Sequence, residues 1–182
     1  MDWIIPVLIV VGILVLWFAT TYNGLQRTNI KIDEAESGID VALTKRFDVL
    51  TKMIEVVKGY AKHEKETLEK VVSMRTPNKG ASLKEKQEMV SQMNEAMHAI
   101  NVVVEQYPDL KANENFKHLQ FAINDVEEHL QAARRVYNAN VSVFNQRCRV
   151  FPSNIVAGML HFSERDFFEA EERKKEDVEI KF

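Results

Sequence analysis

Proline and glycine are scarce, at 4 and 6 of 182 residues. Residues that form helices well dominate instead, which points to an all-α chain. A single cysteine, Cys148, rules out an internal disulfide and suits a reducing compartment. There is no excess of positive charge: the net charge is −3, so nothing suggests nucleic acid as a partner. The sequence also lacks a nucleophile–base pair, a phosphate-binding glycine loop and a CxxC pair. An enzyme reading has no residues to stand on, and the chain is read as non-catalytic, with no cofactor and no metal.

Against these absences stands one long apolar run, Trp3 to Thr21, without a charge. At ~1.5 Å per helical residue it covers roughly 28 Å, the thickness of a bilayer's hydrocarbon core. Trp3 and Trp17 lie near its ends and Tyr22 just beyond, where amphipathic rings favour the interface. A buried core helix this uniformly apolar is rare in so small a chain. A cleaved signal peptide needs a basic start and small residues at the cleavage site. Here Asp2 is the charge before the run, and Ala19-Thr20-Thr21 is a poor match. Residues 1–22 are therefore read as a single transmembrane helix. No Lys or Arg precedes it, whereas Arg27 and Lys31 come after. By the positive-inside rule the soluble part is expected in the cytoplasm.

After the run, apolar residues recur at three- and four-residue steps: Ile32, Ala35, Ile39, Leu43, Phe47, Leu50, Ile54 and Val57, continuing through Leu68 and Val71. That is one stripe of coiled-coil type. Nothing between Trp17 and Leu25 stops a helix, so the anchor is expected to run on into this rod. Thr76-Pro77-Asn78-Lys79-Gly80 ends it. Ser82-Leu83-Lys84-Glu85 reads as a capping box opening a second helix, which Tyr107-Pro108 closes. A third helix is expected from about Asn113 to Val150, ended by Phe151-Pro152. Ser153 and Ser163 are read as caps of two short helices, the second through Phe167 and Phe168. Residues 23–170 form the bundle, and 171–182 a charged tail.

Several stretches resemble the LemA family. They are Tyr22-Asn23-x-Leu25, Ile39-Asp40-x-x-Leu43-x-x-Arg46-x-Asp48-x-Leu50, Val57-Lys58-Gly59-Tyr60-Ala61-x-His63-Glu64, Tyr107-Pro108-Asp109-Leu110-Lys111-Ala112-Asn113, Arg135-x-Tyr137-Asn138 and Phe151-Pro152-Ser153-Asn154-Ile155-Val156-Ala157. The resemblance covers nearly the whole chain. It implies a bacterial inner-membrane protein with one N-terminal anchor and a cytoplasmic up-and-down bundle of about four helices. It implies no reaction, although one branch of the family is linked to building an intracellular membrane compartment. Thr51-Lys52-Met53 and the short segment before Ser82 depart from the family pattern.

Three constellations bear on chemistry. Glu95-x-x-His98 has the spacing of a di-iron bundle ligand pair, but no second copy exists. His63-Glu64 resembles the start of a zinc protease motif, but Thr67 stands where the second histidine belongs. Asn124, Gln131, Asn138 and Asn145 are seven apart, either a polar ladder fixing register or a wet edge of the core.

Length arithmetic shapes the functional expectation. The second helix, about 23 residues, covers only the far half of the rod. If the third turns back at Tyr107-Pro108, the stripe near the membrane is bare. Ile32, Ile39, Leu43 and Phe47 are then the expected self-association surface of a homo-oligomer, alongside the lipid bilayer as partner. Ile155, Val156, Met159, Phe162, Phe167 and Phe168 form the most apolar part of the soluble domain. They are read as an end cap, or as a docking patch for lipid, a subunit or a cytoplasmic protein. The expected function is a membrane-anchored scaffold that self-associates in the membrane plane and organises or shapes the membrane. The alternative is an adaptor that recruits a cytoplasmic protein.

Overall fold

The structure is a computed structural model, which describes residues 3–60 and 80–169. The chain is all-α, with no strand among the described residues. Helix α1 runs Ile4–Tyr60, α2 Leu83–Gln106, α3 Pro108–Ala112, α4 Glu114–Arg149 and α5 Ser153–Met159. The expected end of the rod, His63-Glu64 and the 171–182 tail lie outside the described residues.

The helix starts reflect local chemistry. Ser82 opens α2 with the expected capping box: its backbone N–H donates to Glu85 Oε2 at 2.6 Å, and its hydroxyl accepts from the Glu85 N–H at 3.3 Å. Pro108 is at the start of α3, where its missing N–H costs nothing. Asn113 opens α4, its side-chain oxygen accepting from the Phe116 N–H at 3.1 Å.

Two compact units divide the chain. One holds Met1–Glu36 and Arg135–Phe167, the other Ser37–Arg134 and Phe168–Phe182. In the second unit, α4 runs antiparallel to α1: Asn113 Nδ2 donates to the Tyr60 hydroxyl, and Arg46 meets Glu127. Helix α2 runs the same way as α1, pairing Lys86 with Asp40 and Asn94 with Arg46. Leu50, Met53, Val57, Ile100, Leu110, Phe116 and Leu130 fill the core. Each such side chain stabilises the fold by about 1.5–3 kcal/mol.

In the first unit α4 is again antiparallel to α1. Asn140 Nδ2 donates to the Lys31 carbonyl, and Arg147 lies against Gly24. The expectation of a bare stripe is thereby corrected. Ile32 and Ile39 are fully buried and Leu43 is 1 % exposed within a single chain, while Phe47 is half-buried. In the first unit the 36 residues of α4 reach back beside Gly24, and in the second α2 lies along Asp40 to Arg46, so these positions are buried by helices of the same chain. A second correction concerns residues 162–169, which have no regular secondary structure where a short helix was expected. Their backbone is held by side chains of α4 instead. Asn145 donates to the Arg165 carbonyl and accepts from its N–H, both at 2.9 Å, and the Tyr137 hydroxyl donates to the Asp166 carbonyl at 3.1 Å.

The second unit also buries charge. Arg46, 4 % exposed, donates through Nη2 to Asn94 Oδ1 at 2.5 Å and meets Glu127 Oε2 at 3.1 Å. Lys86, 2 % exposed, holds Asp40 Oδ1 at 2.7 Å. The cations are buried, but each carboxylate keeps about a third of its surface in water. Removing either side of such a pair should therefore cost unequal amounts. Lys86→Met leaves an aspartate that water can solvate, and should change stability by less than about 1 kcal/mol. Asp40→Ala strips a buried ammonium of its carboxylate, and should cost about 2–3 kcal/mol, below the fully buried case because Asp40 is partly wet. Thermal melts of the two variants in detergent check this; equal losses would contradict the asymmetry.

Candidate membrane interface

The run that opens α1 is long and apolar enough to cross a membrane. Ile5, Leu8, Val11, Leu14 and Leu16 are all at least half exposed, and none of the apolar window is buried by protein. Within hydrocarbon a helix satisfies its own backbone, which is why an exposed apolar surface of this kind is stable there. Thr20 turns its hydroxyl back onto the Leu16 and Trp17 carbonyls at 2.9 Å, removing its polarity from the surroundings. The helix is unbroken past this point, as the sequence suggested, and Leu25 is its first fully buried residue.

The end of the first unit closes against this exit point. Helix α4 stops at Arg149, and the Phe151–Pro152 peptide is cis. Ser153 donates its hydroxyl to the carbonyls of Arg147 and Val150 at 2.7 and 2.9 Å, tying α5 to the end of α4. Helix α5 ends in a paired cap: the His161 N–H bonds to the Gly158 carbonyl, and the Phe162 N–H to the Ala157 carbonyl at 3.0 Å. This is the Schellman arrangement, with His161 at φ 57 in the position that glycine usually takes. The turn aims Phe162 at α1 and α4. Its ring lies 6.4 Å from Tyr22 and 6.1 Å, edge-on, from Phe144.

Of the six residues expected to form a docking patch, Val156 and Phe168 are instead core, at 0 and 3 % exposed. Phe168 also lies under the Arg134 guanidinium, 4.8 Å away. Phe162 is half-buried in its aromatic contacts, whereas Ile155, Met159 and Phe167 are exposed. The sequence reading missed Val150, Phe151 and Leu160, which are exposed beside them. It also missed Val136, Ala139 and Val143, an exposed stripe at three- and four-residue steps on α4. That spacing was available as a signal; the stripe was hidden by the stronger one through Tyr137, Val141 and Phe144.

Charges surround this end. Arg149 is paired with Glu164 at 2.7 and 2.5 Å, and Arg165 with Asp33. The hydrogen bond from Arg149 holds the Glu164 carboxyl below its usual range. Burial, then the Glu164 charge, pushes the Cys148 thiol up, so it is protonated at neutral pH and is a poor nucleophile. Glu95 and His98 both face solvent, away from the α2 core. No group of three or more metal-ligating side chains occurs among the described residues.

An all-α protein with one helix long and apolar enough to cross a membrane is thus the class that the fold defines. The chain belongs to the LemA family, whose profile matches residues 35–182. It is similar to Protein LemA of Metamycoplasma hominis, 31 % identical over 174 residues, covering 94 % of this chain and 80 % of that protein. Partial similarity extends to Magnetosome protein MamQ 2 of Paramagnetospirillum magneticum, 28 % identical over 74 residues, 41 % of this chain and 27 % of that protein. Magnetosome protein MamQ of Magnetospirillum gryphiswaldense is 25 % identical over 73 residues, 40 % of this chain and 27 % of that protein.

Two outcomes test the geometry of this end. His161→Gly should keep or raise stability, and His161→Val should lower it by about 1–2 kcal/mol, because only the second adds strain at positive φ. Calorimetry that ranks the two the other way would contradict the cap. The Glu164 pair acts on the acid side. A carboxyl whose folded value is lowered adds stability above its unfolded pKa and loses it as pH falls through the folded one. Glu164→Gln should therefore flatten the acid limb of the stability profile.

Proposed function

We propose that the protein is a non-enzymatic, membrane-anchored helical scaffold that self-associates in the plane of the bacterial inner membrane, with its bundle on the cytoplasmic side. The observation that carries the reading is α1, one unbroken helix from the lipid-facing run into the first unit. An anchor joined to its domain without a flexible link transmits the packing of one to the other. Orientation rests on Arg27 and Lys31 beyond the run, with no basic residue before it.

Self-association uses a different surface from the one the sequence suggested. Ile32, Ile39 and Leu43 are spent inside the chain, so the contact is assigned to Val136, Ala139 and Val143. Val136 is 55 % and Val143 44 % exposed, on a helix whose opposite side is core. Their steps suit a helix–helix seam. Similarity to magnetosome proteins, over part of their length, fits a role in organising membrane.

Mass measurement of the full chain in detergent and in nanodiscs tests this. The expected result is an oligomer that Val136→Lys with Val143→Lys reduces to a monomer of unchanged helical content. Ile39→Lys should instead unfold the chain, since it places a charge in a fully buried position. A wild-type protein that is monomeric in both environments would sink the reading.

A further inference from the structure

The first unit fixes the height of its own end relative to the bilayer. On α1, Lys31 faces Asn140, Gly24 faces Arg147 and Tyr22 faces Phe162. The antiparallel register therefore brings the end of α4, at Arg149, level with Tyr22. Tyr22 is where the apolar run of α1 leaves the hydrocarbon. The segment from Val150 to Leu160 thus lies beside that boundary.

This segment forms a corner with an apolar exterior. Phe151 is 76 % exposed, Met159 65 %, Val150 50 %, Ile155 48 % and Leu160 40 %. The same corner buries Val156 and Ala157 inward, so its apolar residues are divided between two faces, one of them turned out. Ile155 and Met159 share a face of α5, four residues apart. The corner is held in shape by the Ser153 bonds and the paired cap at His161. Exposed Arg147 and Arg27 stand on the water side, as suits a headgroup layer.

We infer that this corner is a second membrane contact: Val150, Phe151, Ile155, Met159 and Leu160 dip into the boundary between headgroups and acyl chains of the bilayer that α1 crosses. Continuity identifies the occupant. The patch adjoins the exit point of a helix already in lipid, and an apolar surface placed there meets the bilayer first. With the span it gives the first unit two attachments, which fixes the tilt and rotation of the bundle's base. The inference requires only that α1 spans the membrane, and stands or falls separately from self-association.

Depth-resolved quenching tests it in the full chain, reconstituted in phosphatidylcholine and phosphatidylglycerol vesicles. Trp3 and Trp17 are replaced by phenylalanine, and a single tryptophan is introduced as Phe151→Trp. The control is Glu34→Trp, exposed on α1 and twelve residues beyond Tyr22, roughly 18 Å along the helix. The expected result is that Phe151→Trp emits at shorter wavelength than the control, loses most of its emission to lipids brominated near the headgroup, and is shielded from acrylamide. Glu34→Trp should show the reverse. Met159→Trp, read the same way, replaces Phe151→Trp if that variant loses helical content. Quenching by acrylamide and not by brominated lipid would overturn the inference. Shielding from both quenchers would also overturn it, since a protein would then cover the corner.

Discussion

A helix inside hydrocarbon must satisfy every backbone group internally, so it cannot end before it has left the bilayer. In this chain it does not end there at all. Leu16 is 68 % exposed and Leu25 fully buried, nine residues apart on the same uninterrupted α1. The change from an exposed apolar surface to a buried one takes place within three turns. Tyr22, Gly24 and Thr28 make it. Tyr22 offers a ring for Phe162, and Gly24 lets the Arg147 side chain approach, which a Cβ would meet at 2.7 Å. Thr28 hides its hydroxyl on the Gly24 carbonyl. The partner surfaces come from residues more than a hundred positions later. Closing this junction is thus a long-range event in the chain.

Buried charge places a different constraint on the second unit. A core of Leu, Ile, Met and Phe alone packs with little preference for register, because sliding one helix along another exchanges like for like. Arg46 and Lys86 remove that freedom, since each buried cation has its carboxylate at one height only. The cost is softened by the water that still reaches Asp40 and Glu127. Such pairs contribute little net stability.

The apolar start of α1, the capping box at Ser82, the turn at Tyr107-Pro108 and nearly all of the α1 stripe were legible in the sequence, because each rests on local chemistry or on periodicity. Arg46 was legible in principle: it stands three residues after Leu43 and four before Leu50, on the stripe itself. Lys86 stands four before Val90 on α2 in the same way. Neither stands out as core, because a charge in an apolar period looks like an edge. What was not legible was which helix covers which. Ile32, Ile39 and Leu43 looked bare because helix lengths alone do not reveal that α4 returns beside α1 as far as Gly24, or that α2 starts level with Asp40. Periodicity identifies a face that must be covered; it carries no information on the covering element.

The irregular segment after Phe162 shows the same limit from the other side. Asn145 belongs to a run of polar residues spaced by seven, which reads either as a ladder between helices or as a wet edge of the core. In the structure its amide makes two bonds to the backbone of Arg165. Tyr137 bonds to the carbonyl of Asp166, and in the second unit Arg134 bonds to that of Glu169. The specificity therefore sits in α4, whose side chains address main-chain groups that every residue has. Ser163 and the two phenylalanines suggested a helix from propensity alone. An unpaired backbone beside a row of amide, phenol and guanidinium donors has a stronger alternative, and the segment takes it. The same bonds hold Phe162 against Tyr22, so polar side chains on α4 set where the aromatic contact at the membrane exit falls.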